Sequence, residues 1–369
     1  MQKHYSMVIK NKKIKRNHDI KLQRRNQTFK YFRRNKNRQK LGIPLNTWRM
    51  LNREKTQFWN YDKIKATVNF SLIANTEEVL NFIGRLQNDY ERHKKTFVKL
   101  YHVKTITDDA ILLLLSNVLE FRNAKIQFNG NRPKEPKVDD ILEESGFFRI
   151  LYGDSSDSGY DKETDNYSIE GRKRMFTHAT RSVDSELTEE LIERSAESLW
   201  GERRRCRGIQ RIFLELMQNT NNHASRNPGD KYWWVNVSKL KNPKRIGFSF
   251  IDYGMGIFTS LETKGQNSKF ANWKNKIIQI CNPQIHYEVL KQMMNGKFHK
   301  TVTGKAYRGK GIPGIYNELR KNSITKLIII SNDAYADATK EDFHKLKNPL
   351  KGTFVYWELD SNCKNLPVY

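Results

Sequence analysis

Three short boxes of polar and glycine residues, in a fixed order along the second half of the chain, most constrain what it can fold into. The first box reads Glu215-Leu-Met-Gln-Asn219-Thr-Asn-Asn-His223. Polar residues at i, i+4 and i+8 share one side of an α-helix, beside an apolar stripe that includes Phe213 and Leu216. A carboxylate and a carboxamide at this spacing can orient a water molecule and contribute oxygen ligands to a hard cation. Taken alone, the box also fits an ordinary amphipathic helix with a solvated polar edge.

The second and third boxes are rich in glycine. The second follows an apolar, strand-like run and reads Asp252-Tyr-Gly254-Met-Gly256-Ile257. The third opens another helical pattern and reads Gly309-Lys310-Gly311-Ile-Pro-Gly314. Glycines allow backbone N–H groups to approach a phosphate at a helix N-terminus, where the helix dipole also favours an anion. A single G-x-G-x-x-G pattern is weak evidence, but three boxes in this order are specific.

This order resembles that of the GHKL ATPases, the class that includes DNA gyrase, MutL, histidine kinases and anti-sigma-factor kinases. The resemblance covers approximately residues 176–360. It implies an α/β fold of the α+β sandwich kind, called the Bergerat fold, in which a mixed sheet is backed by helices. It also implies that ATP and Mg²⁺ are the cofactors.

The resemblance further implies a role for each residue of the boxes. Glu215 matches the general base, and Asn219 matches the Mg²⁺ ligand. Asp252 matches the aspartate that accepts a hydrogen bond from the adenine amino group, and Thr353 matches a threonine near the adenine. The other matched positions contact the nucleotide: His223, Gly254, Gly256, Ile257, Gly309, Lys310, Gly311 and Gly314.

The region 62–150 is predicted to form a small α/β domain. Strand patterns lie at 66–70, 96–101 and 125–128, and helical patterns at 76–86, 108–119 and 138–145. The element order, together with Ile106-Thr-Asp108-Asp109, resembles the STAS domain, the fold of anti-sigma-factor antagonists. Because a carboxylate cannot replace the phosphorylated serine of that family, the two acids are better explained as first-turn residues of a helix.

The remaining chain is divided into a linker, 151–175, and a nucleotide domain, 176–369. Strand patterns in the domain lie at 232–237, 246–251, 324–331 and 353–359, and helical patterns at 185–200, with Ser185 as its cap, and up to residue 224. The segment 257–308 carries nine Lys or Arg and only two acids. A connection this long is typical of a functional lid, and a surface insertion that does not move is the alternative.

Charge is concentrated at the N-terminus. Residues 1–40 contain 15 Lys or Arg and one acid, which is about half of the net charge of +27. The segment 1–45 is therefore predicted to be a disordered arm that attracts polyanions, with Tyr31 and Phe32 as stacking groups for nucleic acid. A basic solvated tail without a dedicated partner is the alternative.

Several classes of protein are disfavoured by composition. The sequence has no apolar run of the ~18 residues that a membrane helix needs, and no signal-peptide core. Its three cysteines are too far apart for a C-x-x-C metal site or a disulfide framework. We therefore expect a cytoplasmic protein that does not contact a membrane.

The function predicted from the sequence is Mg²⁺-dependent ATP binding with slow hydrolysis through Glu215, in which the nucleotide state changes lid and partner contacts. One alternative is a protein Ser/Thr kinase of the anti-sigma-factor type. Another is a nucleic-acid-binding or scaffold module with structural ATP. The partners that the sequence leaves open are a protein, a nucleic acid bound by residues 1–40 or by the basic lid, and a second copy of the chain in a homodimer.

Overall fold

The computed structural model describes residues 57–152, 160–161, 166–168, 174–179, 183–223, 233–240, 244–259, 280, 282–297 and 311–363. The predicted arm, Gly309, Lys310 and much of the predicted lid lie outside these ranges. The chain forms a short unit, Met1–Tyr61, and a compact unit, Asp62–Tyr369. All elements below belong to the second unit, which combines α-helices with parallel and antiparallel sheets.

The first part of this unit contains small parallel sheets and four helices. The sheet β1-β3-β5 is built from Asp62–Lys65, Thr96–Lys99 and Phe128–Asn131, while β2 (Asn69–Phe70) pairs with β4 (Thr105–Ile106). The helices are α1 (Thr76–Glu91), α2 (Asp108–Asn123), α3 (Pro136–Glu144) and α4 (Phe147–Tyr152). The predicted alternation of strands and helices is therefore confirmed.

Two of the strands predicted in this part lie at different residues. Of the strand expected at 66–70 only Asn69–Phe70 is found, as β2, while β1 lies before those bounds; the strand expected at 125–128 begins only at Phe128. Lys125 adopts a positive φ of 56°, and its N–H donates to Arg122 O, so this residue completes the turn that ends α2. The apolar pattern at 125–128 could not reveal a left-handed residue, which belongs to a turn.

A seven-stranded sheet forms the centre of the unit. Its order is β11-β12-β10-β9-β8-β7-β6, from Lys326–Asp337, Asp342–Asp360, Arg245–Asp252, Trp233–Leu240, Arg174–Ala179, Asn166–Ser168 and Tyr160–Asp161. Every strand pair described in this sheet is antiparallel. The mixed sheet that the resemblance implied is thus not found among the described strands. Direct connections, as between β9 and β10 or β11 and β12, produce antiparallel neighbours.

The segment 151–175, interpreted as a linker, supplies β6, β7 and the start of β8. These short strands lie at one edge of the sheet, where β6 is the last strand in the order. Their sequence lacks apolar alternation, because backbone pairing at a sheet edge does not require two buried faces. The strands in this segment could therefore not be predicted from its acidic sequence, which is interrupted by turn residues.

Helices cover both faces of the large sheet. Ile328, Ile330 and Phe354 face α1 and α2 in one buried core. Alternate residues such as Leu327 and Ile329 face the other core, as expected where successive side chains of a strand point to opposite faces. That second core contains residues of α5 (Ser185–Trp200), α6 (Arg207–His223), α7 (His286–Met294) and α8 (Gly311–Arg320). The regions 62–150 and 176–369 consequently share a core.

Helix α2 lies between two layers of strands. Its residues from Asp109 to Leu119 are all buried, and it contacts β5 on one side and both β9 and β10 on the other. A helix that is apolar on every side is typical of an element enclosed in a core. Asp109, one of the two acids noted in the sequence, accepts hydrogen bonds from Leu72 N (2.7 Å) and Ile73 N (3.2 Å). It thereby joins the first turn of α2 to the loop after β2.

Helix α5 has the predicted bounds but a different cap. Asp184, not Ser185, is the N-cap, and its carboxylate accepts a hydrogen bond from Leu187 N at 2.8 Å. Within the described part of the chain, no helix has the length and apolar character needed to cross a bilayer.

Candidate functional site

The packing of α6 determines where the first box points. The Phe213 ring lies 5.6 Å from that of Phe248 and 4.8 Å from that of Trp357, centroid to centroid, so this side of the helix is fixed against the sheet. The polar stripe therefore lies at the margin of the core. Glu215 is half-buried with its side chain 20% exposed, and Asn219 is exposed. His223 is the last residue of α6, and its side chain lies outside the described atoms.

The third box meets the first at the start of α8. A Cβ atom on Gly311 would lie 2.9 Å from Asn219 Nδ2 and 3.8 Å from Glu215 Oε2. Only glycine permits this approach without displacing the carboxamide. A Cβ on Gly314, one turn further along α8, would have no heavy atom within 4 Å. Residues almost one hundred positions apart in sequence thus converge on one side of α6.

Asp252 occupies the end of β10, between Trp233 of β9 and Thr353 of β12. By strand alternation its side chain is on the same face as Phe248 and Phe250, which pack against α6. The residue is only 8% exposed. Its carboxylate accepts hydrogen bonds from Gly254 N, at 2.9 Å, and from the Thr353 hydroxyl.

Burial raises the pKa of Asp252 to about 6, and the hydrogen bonds from Gly254 and Thr353 only partly oppose this shift. Transfer of a carboxylate from water into a protein interior disfavours the charged form, and hydrogen-bond donors favour it. A buried acid with a displaced pKa at the end of a strand is a feature found at functional sites more often than elsewhere.

Gly352 allows strand β12 to pass close to the backbone of Asp252. Its φ is +119°, and a Cβ atom there would lie 1.9 Å from Asp252 O. Any other residue would collide with backbone atoms, which cannot move aside as a side chain can. The close approach at Gly352 brings the next residue, Thr353, to Asp252.

A bulge in β11 fixes the turn that follows Asp252. Ser331 Oγ accepts a hydrogen bond from Ile257 N (2.9 Å) and lies 3.1 Å from Thr353 Oγ1. Asn332 accepts a hydrogen bond from Phe258 N (3.1 Å) and donates one to Met255 O (3.0 Å). Sequence analysis missed both residues. The only signal is the change from apolar to polar residues at Ser331, where the strand pattern 324–331 ends.

The residue after this bulge, Asp333, contacts the start of α7, which belongs to the predicted lid. His286, the first residue of α7, forms a hydrogen bond through Nδ1 with Asp333, and its ring stacks on Phe258 at 4.4 Å. Val289 and Leu290 are buried in the second core. Residues 286–294, which belong to the segment predicted to be a lid, are therefore an integral part of the fold.

An ion pair at Glu215 was also not foreseen. Arg211 Nε lies 3.6 Å from Glu215 Oε1, one helical turn earlier on α6. This contact leaves Oε2 as the carboxylate oxygen that faces the start of α8. The described residues contain no group of three or more His, Cys, Asp or Glu that could hold a metal ion.

The structure thus brings Glu215, Asn219 and Gly311 together on one side of α6, and Asp252, Gly254 and Thr353 together at the end of the sheet. Comparison with protein-family models, with curated proteins and with solved structures finds no match for this chain.

Proposed function

We propose that the protein binds ATP with Mg²⁺ between α6, the start of α8 and the Asp252 end of the large sheet. The observation that carries the proposal is the approach of Gly311 to Asn219 and Glu215. A helix N-terminus without a side chain, beside a carboxamide and a carboxylate, suits a phosphate chain and its cation. The buried carboxylate of Asp252 supplies a separate recognition group on the same side of the sheet.

Asp252 suits the recognition of an amino group. The two hydrogen bonds from Gly254 N and Thr353 both approach it as donors, so the carboxylate acts as an acceptor. An exocyclic amino group, as on adenine, can donate to it, whereas a carbonyl at that position would place two acceptors face to face. Asp252 would therefore favour adenine over a base with a carbonyl in place of the amino group.

The side chains at the start of α8 fit the phosphate end of the nucleotide. Asn219 would provide an oxygen ligand for Mg²⁺, which when bound would neutralise part of the phosphate charge. Glu215 would accept the proton of an attacking water through Oε2, as that water forms a bond to the terminal phosphorus and ADP departs. Arg211 holds the other oxygen of Glu215 and so restricts the orientation of the carboxylate.

The proposal is tested by calorimetric titration of the protein with ATP, with and without Mg²⁺. The wild type should bind in a Mg²⁺-dependent way, and Asp252→Asn should lose most of its affinity, since an amide at this position can present an N–H to the amino group. Asp337→Asn is a matched control. Asp337 is also buried at a strand end and accepts a hydrogen bond from Thr339 N, two residues on, at 3.1 Å.

Unchanged affinity in the Asp337 variant, with lost affinity in the Asp252 variant, supports the assignment. Wild-type affinity in Asp252→Asn would contradict it, because the base would then lie elsewhere.

A further inference from the structure

Tyr253 connects the candidate site to the opposite face of the large sheet. It lies between Asp252 and Gly254, the two residues joined by the hydrogen bond at the end of β10. Its ring packs against the core that contains α1 and α2, whereas Asp252 lies on the face of α6 and α8. Successive residues of the chain therefore belong to different layers of the molecule.

The Tyr253 hydroxyl is held by two side chains of α2. It accepts a hydrogen bond from Asn117 Nδ2 at 2.8 Å and lies 2.5 Å from Ser116 Oγ. Because Ser116 donates its own hydrogen to Leu112 O (2.8 Å), the tyrosine is the donor in the second contact. Burial raises the pKa of Tyr253, so the hydroxyl is in its neutral, donating form.

These contacts join parts of the chain more than 130 residues apart. Both α2 side chains also bond backbone oxygens of their own helix, Ser116 to Leu112 O and Asn117 to Leu113 O (2.7 Å). Loss of the tyrosine hydroxyl would thus leave neither of them without a partner. The contact with Tyr253 is not needed to satisfy the helix, and its effect falls on the position of the turn.

We infer that Tyr253 is a positioning residue, through which α2 holds the Asp252 turn in the geometry that selects an adenine base. This inference rests on the proposed function and adds that the 62–152 region takes part in nucleotide recognition without touching the nucleotide. A turn that is fixed on both faces of a sheet keeps an acceptor at one place, and base selectivity depends on that place. Loss of the contact between the turn and α2 should therefore reduce selectivity for an adenine base more than it reduces the stability of the fold.

The test compares ATP with ITP, whose base has a carbonyl in place of the amino group. For Tyr253→Phe we expect ATP affinity to fall by about fivefold or more, since each lost hydrogen bond accounts for roughly that factor. ITP affinity should change little, so the ratio of the two affinities falls. A purely structural role would lower the melting temperature and reduce both affinities equally.

Ser116→Ala removes the contact with the Tyr253 hydroxyl from the α2 side. It should lower the affinity ratio in the same direction, and the double variant should show no greater loss than Tyr253→Phe alone, because Tyr253→Phe already removes the contact with Ser116. Ser195→Ala is the matched control. Ser195 is a buried serine of α5 whose hydroxyl likewise donates to a carbonyl four residues earlier, Leu191 O, at 2.6 Å.

The outcomes separate the two proposals. Wild-type affinity and selectivity in both Tyr253→Phe and Ser116→Ala would overturn the positioning role while leaving ATP binding in place. Absence of ATP binding by the wild type would overturn the proposed function and this inference with it. A fall in the affinity ratio that is confined to the two variants, and absent from Ser195→Ala, supports the inference.

Discussion

At the scale of single residues, Asp252 should make stability depend on pH. Its pKa of about 6 in the folded protein lies above the ordinary value of 3.8, so the folded state binds an extra proton between about pH 4 and pH 6. Stability conferred by that proton is lost as pH rises through this interval, and the loss at neutral pH is on the order of 3 kcal/mol. Asn at 252 cannot titrate.

The check is chemical denaturation of wild type and Asp252→Asn at several pH values without nucleotide. The stability of the variant relative to the wild type should increase from pH 4 to pH 7. A difference that stays constant over this range would show that the carboxylate is not displaced from its ordinary pKa.

Substitutions of Glu215 and Asn219 should differ in their effects on ATP binding and on ATP turnover. Glu215→Ala should retain ATP and lose about 10²-fold or more of its hydrolysis rate, because a general base acts on the reacting water. Asn219→Ala should weaken both, since it removes a ligand of the cation. Phosphate release and calorimetry measure the two effects, and wild-type turnover in Glu215→Ala would exclude this residue as the base.

The same assay distinguishes hydrolysis from phosphotransfer. With ATP labelled at its terminal phosphate, free labelled phosphate supports an ATPase, whereas label on a protein supports a Ser/Thr kinase with Glu215 acting on a hydroxyl. If neither free labelled phosphate nor labelled protein is detected, the interpretation of ATP as a structural ligand is favoured.

At the scale of secondary-structure elements, the approach of α8 to α6 can be tested at Gly311. Gly311→Ala would bring a methyl group to 2.9 Å from Asn219 Nδ2. Asn219 is exposed and its carboxamide can move aside, so the fold should be retained. ATP affinity should nevertheless fall about tenfold or more, because the cation ligand is displaced.

The control for this variant is Gly84→Ala. Gly84 lies within α1, and a Cβ there would have no heavy atom within 4 Å. The change should improve helix propensity without altering nucleotide binding. Equal affinity in Gly311→Ala and Gly84→Ala would show that the start of α8 is not part of the nucleotide site.

At the scale of the whole molecule, the shared core predicts that the two parts of the second unit fold together. Removal of residues 62–152 would expose one face of the large sheet, including Ile251, Ile330 and Phe354. It would also remove Glu77, which accepts a hydrogen bond from Lys347 N at 2.8 Å. The remaining chain should fail to unfold cooperatively in a thermal scan.

A chain of residues 62–369, which contains the complete second unit, should unfold cooperatively under the same conditions. Cooperative unfolding of the shorter fragment would instead show that the two regions are separate domains, as the sequence predicted.

The N-terminal arm belongs to the same scale, although it lies outside the described residues. Deletion of residues 1–40 removes about half of the net charge but none of the three boxes. The shortened protein should keep ATP binding and lose most of its affinity for nucleic acid. For the chain that retains residues 1–40, affinity for nucleic acid should fall by roughly 10³-fold between about 50 and 200 mM salt, because phosphate contacts release counterions.

A gel-shift titration at two salt concentrations, with and without ATP, measures this effect. Unchanged binding after the deletion, together with modulation by ATP, would assign nucleic-acid binding to the basic segment 257–308. Binding that is undetectable or insensitive to salt would exclude both segments.

Some features of the fold and of the candidate site were accessible from sequence because they depend on local periodicity. The stripe of Glu215 and Asn219 on a helix follows from a spacing of four residues, and Asp252 at a strand end follows from the apolar run before it. Helix α5 and the helix that begins at Gly311 were predicted for the same reason. Such patterns are local in the chain, and the chain alone determines them.

The remaining features were decided by tertiary structure. The convergence of Gly311 on Asn219, the joining of Tyr253 to Ser116 and the sharing of a core by regions 62–150 and 176–369 all depend on contacts between distant segments. The strands at 160–161 and 166–168 depend on backbone pairing at a sheet edge. Sequence periodicity shows that an apolar face must be buried, but only packing decides which other face covers it.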